Sequence, residues 1–237
     1  MQLGSSIARE ADKTIYTYAG PEIAVATTKG YTSQVAILAL LVLDTMRQKN
    51  ILNDSFKAEI ESQIDNISSL MKDTIKRYDE YLNIAKKIQN DEHLFFIGRG
   101  IDYSLCLEGS LKLKEISYMH SEAYAAGELK HGTISLITNN TPIIAIATDD
   151  DLYEKTVSNI KETKARGAFV IFITNKDLNI EDYNDFADIV LTLPKVNELL
   201  QVLVTILPLQ LIAYQTAKLR GCDIDKPKNL AKSVTVE

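Results

Sequence analysis

Three features of the sequence predict an α/β fold with a mostly parallel sheet covered by helices on both faces. Four apolar runs of strand length fall at 94–97, 142–147, 168–174 and 189–193. Segments with helical character lie between or after them, at 102–118, 152–166 and 197–219. The first run ends in Gly98-Arg99-Gly100, a glycine turn suited to joining a strand to a helix. Strands buried on both faces read as unbroken apolar runs, so the sheet is expected to be parallel and two-sided.

Taken in order, residues 31–49 carry Val35, Ile37, Leu38, Leu40, Leu41, Val42 and Leu43. A helix apolar nearly all round predicts burial on several sides. Residues 53–90 place Phe56, Ile60, Ile64, Ile67, Leu70, Met71, Ile75, Tyr78, Leu82, Ile84 and Ile88 at helical spacing among charges. That pattern predicts one or two amphipathic helices, with Asn53, Asp54 or Ser55 as N-cap. They read as a connector between two units. Gly167 closes the 152–166 helix as a C-terminal cap, and Pro208 is expected to bend the last one. A weak echo links the halves. Ala11-Asp12, Ile15 to Thr17 and Pro21 precede one apolar helix, much as Ala187-Asp188, Ile189 to Leu193 and Pro194 precede another. The echo suggests that the first copy is the end of a domain; chance similarity of two strand-helix units is the alternative.

The 237 residues, 46% hydrophobic and 24% charged, have the composition of a soluble globular chain, and the length fits one large or two smaller domains. A formal charge of -6 argues against general nucleic-acid binding, which needs a basic face. It leaves room for a small anion held by a few N–H groups. The two cysteines, Cys106 and Cys222, form no CxxC pair and have no histidine at metal-ligand spacing. A disulfide framework and a cysteine zinc site are therefore not expected, and a reducing, cytoplasmic setting is. The start has no basic, apolar leader, and the run 35–43 is shorter than the ~20 residues a bilayer requires.

Candidate chemistry falls in three places. Glu108, Lys112 and Glu115 stand at i, i+4 and i+7, on one helix face. Spacing alone favours a solvated row of helix salt bridges. The position after a strand-ending glycine turn points the other way, because ligands of open α/β sheets sit outside the carboxyl ends of the strands. His131, between Lys130 and Gly132, sits on or beside a turn, and histidine is the side-chain type best suited to moving protons at neutral pH, although a lone surface histidine usually has no role. The final stretch 227–237 is β-branched and half-apolar, more suited to docking than to fraying, with Lys232 within it.

The strings EGSLKLKEISYMHSEAYAAGELKHG (108–132) and DKPKNLAKSVTVE (225–237) resemble the isomerase half of the glutamine:fructose-6-phosphate aminotransferase, or glucosamine-6-phosphate synthase, family. EADKTIYTYAGPEIAVATTKGYTSQ (10–34) resembles the end of that family's first sugar-isomerase (SIS) domain. The resemblance covers essentially the whole chain in order. It implies a SIS-type three-layer α/β/α doubly wound sheet. The implied division is a first-domain remnant at 1–50, a helical connector at 51–90, a second SIS domain at 91–221 and a site-closing tail at 222–237. It also implies that fructose 6-phosphate is bound, opened, aminated at C2 by ammonia and isomerised to glucosamine 6-phosphate. In this chain's numbering the implied roles are Glu115 as the base moving a proton between C1 and C2, and Lys112 as its charged neighbour at the sugar oxygens. His131 would be the ring-opening acid/base, supplied by the partner of a homodimer, and Lys232 the amine that engages the C2 carbonyl. Val25, Thr27 and the backbone of Ala231 would line the sugar. No metal or organic cofactor is implied. Transfer of a proton between adjacent carbons needs one carboxylate reaching both, and a lysine with a lowered pKa can form a Schiff base.

The departures are specific. No cysteine-nucleophile glutaminase domain is present, and the family's hydroxyl-rich phosphate loop, of the form SQSGET, has no counterpart. Weak sugar-phosphate binding and little turnover by the chain alone are therefore expected. A non-catalytic SIS module that binds sugar phosphate is the alternative. The helix 31–49 is expected to dock against another chain. Thr27, Ser110 and Thr133 replace the usual Ser, Ala and Pro.

Overall fold

The computed structural model describes residues 4–231. After a short α1 (Ser6–Glu10) come three helices, α2 (Lys29–Gln48), α3 (Asp54–Lys76) and α4 (Tyr78–Ile88). The α/β unit then runs β1 (His93–Gly98), α5 (Ile101–Ser117), β2 (His120–Ala125), β3 (Pro142–Ala147), α6 (Tyr153–Lys164), β4 (Phe169–Thr174), α7 (Ile180–Tyr183), β5 (Ile189–Thr192) and α8 (Glu198–Leu219). Two 3-10 turns, Leu129–His131 and Thr133–Leu136, join β2 to β3.

All pairings are parallel, in the order β2-β1-β3-β4-β5. Alternate residues of each strand feed opposite cores, because successive side chains point to opposite faces. Leu94, Phe96, Ile144, Ile146, Ile171 and Ile173 join one cluster with α5 and α8. Phe95, Ile97, Ile143, Ala145, Val170 and Phe172 join the other, with α6 residues Val157 and Ile160. This is the predicted three-layer arrangement.

The sheet reverses its winding between β1 and β3, and a buried carboxylate ties the two loops together there. Asp102, 1% exposed, accepts from the Thr148 backbone N–H (2.7 Å) and hydroxyl (2.6 Å). Burial pushes its pKa up, against the lowering effect of these bonds. Gly98 is required beside it, since a Cβ would come within 2.8 Å of the Asp102 carbonyl carbon.

The two longest helices of the unit, α5 and α8, meet closely at Gly109. A Cβ there would stand 2.9 Å from Leu209 Cδ1 and 3.2 Å from both Leu209 Cβ and Phe96 Cε1. Overpacking costs about 1–3 kcal/mol and the better helix propensity of alanine returns at most about 1. Gly109→Ala is therefore expected to lower the urea midpoint with an unchanged m-value; an unchanged midpoint would show that the contact is slack.

Two expectations are corrected, and one strand is unforeseen: residues 120–125 form β2, one of the sheet's two edge strands. Their composition, His-Ser-Glu-Ala-Tyr-Ala, lacks an apolar run because only Ser121 is fully buried. No strand forms at 15–17, since backbone donors there meet no neighbouring strand among the described residues. The helix at 31–49 is not buried on several sides. In α2 only Ala39 and Leu43 are buried, while Leu38, Leu40, Leu41 and Val42 are 42–61% exposed. The 53–90 segment forms two helices split at Arg77, both packed on α8, and α8 runs on as one helix through Pro208. Among the described residues α8 alone has the length and hydropathy to cross a membrane, and 78% of that window is buried inside the fold.

Candidate active site

One face of α5 carries a cluster of buried charge. The Lys112 ammonium, on a residue 4% exposed, stands 2.6 Å from Glu115 Oε2 and 3.5 Å from Glu108 Oε1. The i+3 and i+4 spacings stack all three on one stripe, as the sequence predicts. The stripe is not solvated, because the Glu108 and Glu115 side chains are only 13% and 22% exposed. The Lys112–Glu115 contact is an ion pair without hydrogen-bond angles, so Glu115 Oε2 is buried with no hydrogen bond among the described residues. Burial raises the pKa of Glu108, opposed by Lys112 and reinforced by Glu115.

The location differs from the one inferred above. Glu115 lies in the last turn of α5, roughly 20 Å along the axis from its start at a rise of ~1.5 Å per residue. Lys112 and Glu115 therefore lie well along α5 from the strand-ending turn at Gly98–Gly100.

Two segments approach this end of α5. The first is 21–31. Ala26 is buried in the main core with Val25 and Thr27 half-buried on either side, and the first turn of α2 brings Tyr31 near Glu108. Burial raises the Tyr31 pKa, and the Glu108 charge adds to the rise. Glu22 holds the loop, accepting from Thr28 N (3.0 Å) and Gly30 N (3.4 Å) at the start of α2. Thr27 lines a cleft of about 600 Å³ with Tyr16, Gly20, Lys29 and Gln34. The second segment follows α8. Val25 N donates to Asp225 O (2.9 Å), and Lys228 N donates to the Tyr118 hydroxyl (2.6 Å) just past Ser117. The chain after α8 is thereby tied both to the Val25 loop and to the end of α5. Ala231 is exposed, and Lys232 lies outside the described residues.

His131 ends the first 3-10 turn and is exposed. Among the described residues no hydrogen bond or ion pair joins it to Glu115 or Lys112. Sequence reasoning missed Tyr31 and Tyr118, since tyrosine spacing carries no signal for either contact. Ser110, noted as a departure, has a structural role. Its hydroxyl donates to Ser121 O (2.9 Å) and Ser121 Oγ returns a bond to Ser110 O (3.0 Å), locking α5 to edge strand β2.

A parallel α/β/α sheet carrying a buried carboxylate-lysine trio on one helix defines an α/β protein with an ionisable site outside its sheet crevice. The chain belongs to the SIS domain family, which matches residues 87–220. It is similar over 99% of its length to the isomerizing glutamine--fructose-6-phosphate aminotransferases of Caldanaerobacter subterraneus subsp. tengcongensis (49% identity) and Bacillus subtilis (48%). It spans 38% of the length of each of these relatives. Among solved structures it is similar to the C-terminal domain of glucosamine-fructose-6-phosphate aminotransferase from Francisella tularensis. The TM-score is 0.89 with 40% identity, covering 95% of this chain and 64% of that one.

Proposed function

We propose that the chain is the isomerase portion of a glucosamine-6-phosphate synthase, binding fructose 6-phosphate and converting it with ammonia to glucosamine 6-phosphate. The observation that carries the reading is the carboxylate of Glu115, held 2.6 Å from a buried lysine on the stretch that matches these relatives. His131, from a second copy in a homodimer, opens the sugar ring. Lys232 engages the C2 carbonyl of the open ketose. Ammonia replaces the C2 oxygen, which leaves as water; Glu115 then takes a proton from C1 and returns it to C2 while the O1 proton passes to the nitrogen, which turns the C2 imine into an amine and C1 into an aldehyde. Lys112 sets the charge beside the sugar oxygens and, 2.6 Å from Glu115 Oε2, holds that carboxylate in place between transfers. Val25, Thr27 and the backbone of Ala231 line the sugar, and the anchoring of 222–231 to Val25 and Tyr118 supports this role for the tail. Residues 91–221 form the second SIS domain, with 1–50 the end of a first, 51–90 the connector and 222–237 the closing tail. The setting is cytoplasmic.

Fructose 6-phosphate and glucosamine 6-phosphate are each expected to raise the melting temperature. Ligand at a hundred times Kd adds about 2.7 kcal/mol, which is roughly 5–10 °C for a chain of this size. Inorganic phosphate at the same concentration should give much less. No shift at high millimolar sugar phosphate would remove the claim of sugar binding.

A further inference from the structure

Two of the three histidines meet on the face of the sheet opposite α5. The β1/β2 register pairs His93 with His120, and their Nδ1 atoms stand 3.2 Å apart with the ring planes near perpendicular, at 84°. Strand alternation places His93 on the Phe95 face and puts His120, Glu122 and Tyr124 in one row on β2. Glu122 Oε1 lies 3.6 Å from His120 Nε2, while its other oxygen accepts from the Tyr124 hydroxyl. His93, His120 and Glu122 line a cleft of about 460 Å³ that also includes Asp91, Glu92 and Asn139 but no lysine or arginine.

We propose that His93 and His120 form a binding site for a borderline divalent transition cation such as Zn²⁺, Ni²⁺ or Cu²⁺, held by the two Nδ1 atoms. Three observations support it. With metal–nitrogen bonds of ~2.0–2.1 Å, two donors of one ion lie about 2.9 Å apart at a right angle and about 3.3 Å apart in a tetrahedron. The measured 3.2 Å falls within this bite. Metal-bound histidines commonly direct the other ring N–H at a carboxylate, and Glu122, steadied by Tyr124, stands on that side of His120. The lining is acidic, which favours a cation; the described residues supply the two imidazole donors and no third His, Cys, Asp or Glu ligand, so the remaining positions fall to water, and imidazole with oxygen ligands suits Zn, Ni and Cu. Without a metal the same pair is a single N–H···N hydrogen bond between the two rings. The sequence hides the pairing, because 27 positions separate the residues and only the parallel register joins them. Since β2 is an edge strand, an ion here would clamp it to β1.

The test is to add Zn²⁺ or Ni²⁺ to the full chain, follow binding by calorimetry and melting temperature, and record the Cu²⁺ spin-resonance spectrum. The expected result is one site per chain at micromolar metal, a raised melting temperature, and two nitrogen donors in the copper spectrum. His93→Gln and His120→Gln, both at exposed positions, should each weaken binding tenfold or more. Glu122→Gln should weaken it roughly tenfold, and His131→Gln should leave it unchanged. Binding no tighter than millimolar overturns the proposal. So does micromolar binding that survives His93→Gln or is lost with His131→Gln.

Discussion

Glu115→Gln is expected to lower proton transfer between C1 and C2 of the sugar by about 10² to 10⁴-fold, the usual contribution of a positioned acid or base. The amide keeps the shape of the carboxylate but cannot accept the proton at neutral pH. Lys112 retains Glu108 at 3.5 Å, so the fold should tolerate the change. The measurement is deuterium incorporation at C1 and C2 of fructose 6-phosphate and glucose 6-phosphate in D₂O, followed by NMR over hours so that slow turnover is visible. An exchange rate equal in the variant and the parent would refute Glu115 as the base. The same loss with an altered melting temperature would shift the explanation to folding.

Lys112→Met should have the largest effect on stability, about 3–5 kcal/mol, because it leaves two mostly buried carboxylates facing each other without a cation. The loss has a pH signature. Burial already raises the pKa of Glu108 in the folded state, and removing the ammonium raises it further. A carboxylate with a raised folded pKa contributes stability below its unfolded value that is lost as pH rises through the folded one. The destabilisation by Lys112→Met should therefore be greatest at neutral pH and shrink as the pH falls below the raised value. Urea unfolding at pH 7 and near pH 4 reads this directly. A penalty that does not depend on pH would mean lost packing of the lysine stem and no uncompensated charge. Replacing the whole trio with Leu, Met and Leu should return much of the stability, since apolar replacement of a buried ion cluster is often close to neutral, while abolishing sugar isomerisation.

The sheet was largely legible because β1, β3 and β4 are buried on both faces and announce themselves as apolar runs, and the half-buried edge strand β5 is apolar too. Edge strand β2 was not, since it needs no such run and its residues read as polar. The helix α2 shows a different limit: an all-round apolar sequence reports what a segment is able to bury, whereas exposure of Leu38 to Val42 depends on which neighbours are present. Within the site, helical spacing gave the Glu108, Lys112 and Glu115 stripe correctly. Its burial could not be read, because helical spacing does not report which distant segments approach α5, such as Tyr31 of α2 near Glu108 and the 222–231 segment at Tyr118. The direct placement of Lys232 is outside the described residues.

The most direct test of the central claim is a crystal structure of the protein with glucosamine 6-phosphate bound. The expected result is the C1–C2 bond lying against the Glu115 carboxylate, within about 3.5 Å, with the sugar bounded by the Val25 to Thr27 loop and the chain after α8. A sugar phosphate held instead at the carboxyl ends of β3 and β4, with Glu115 far from its carbons, would contradict the account.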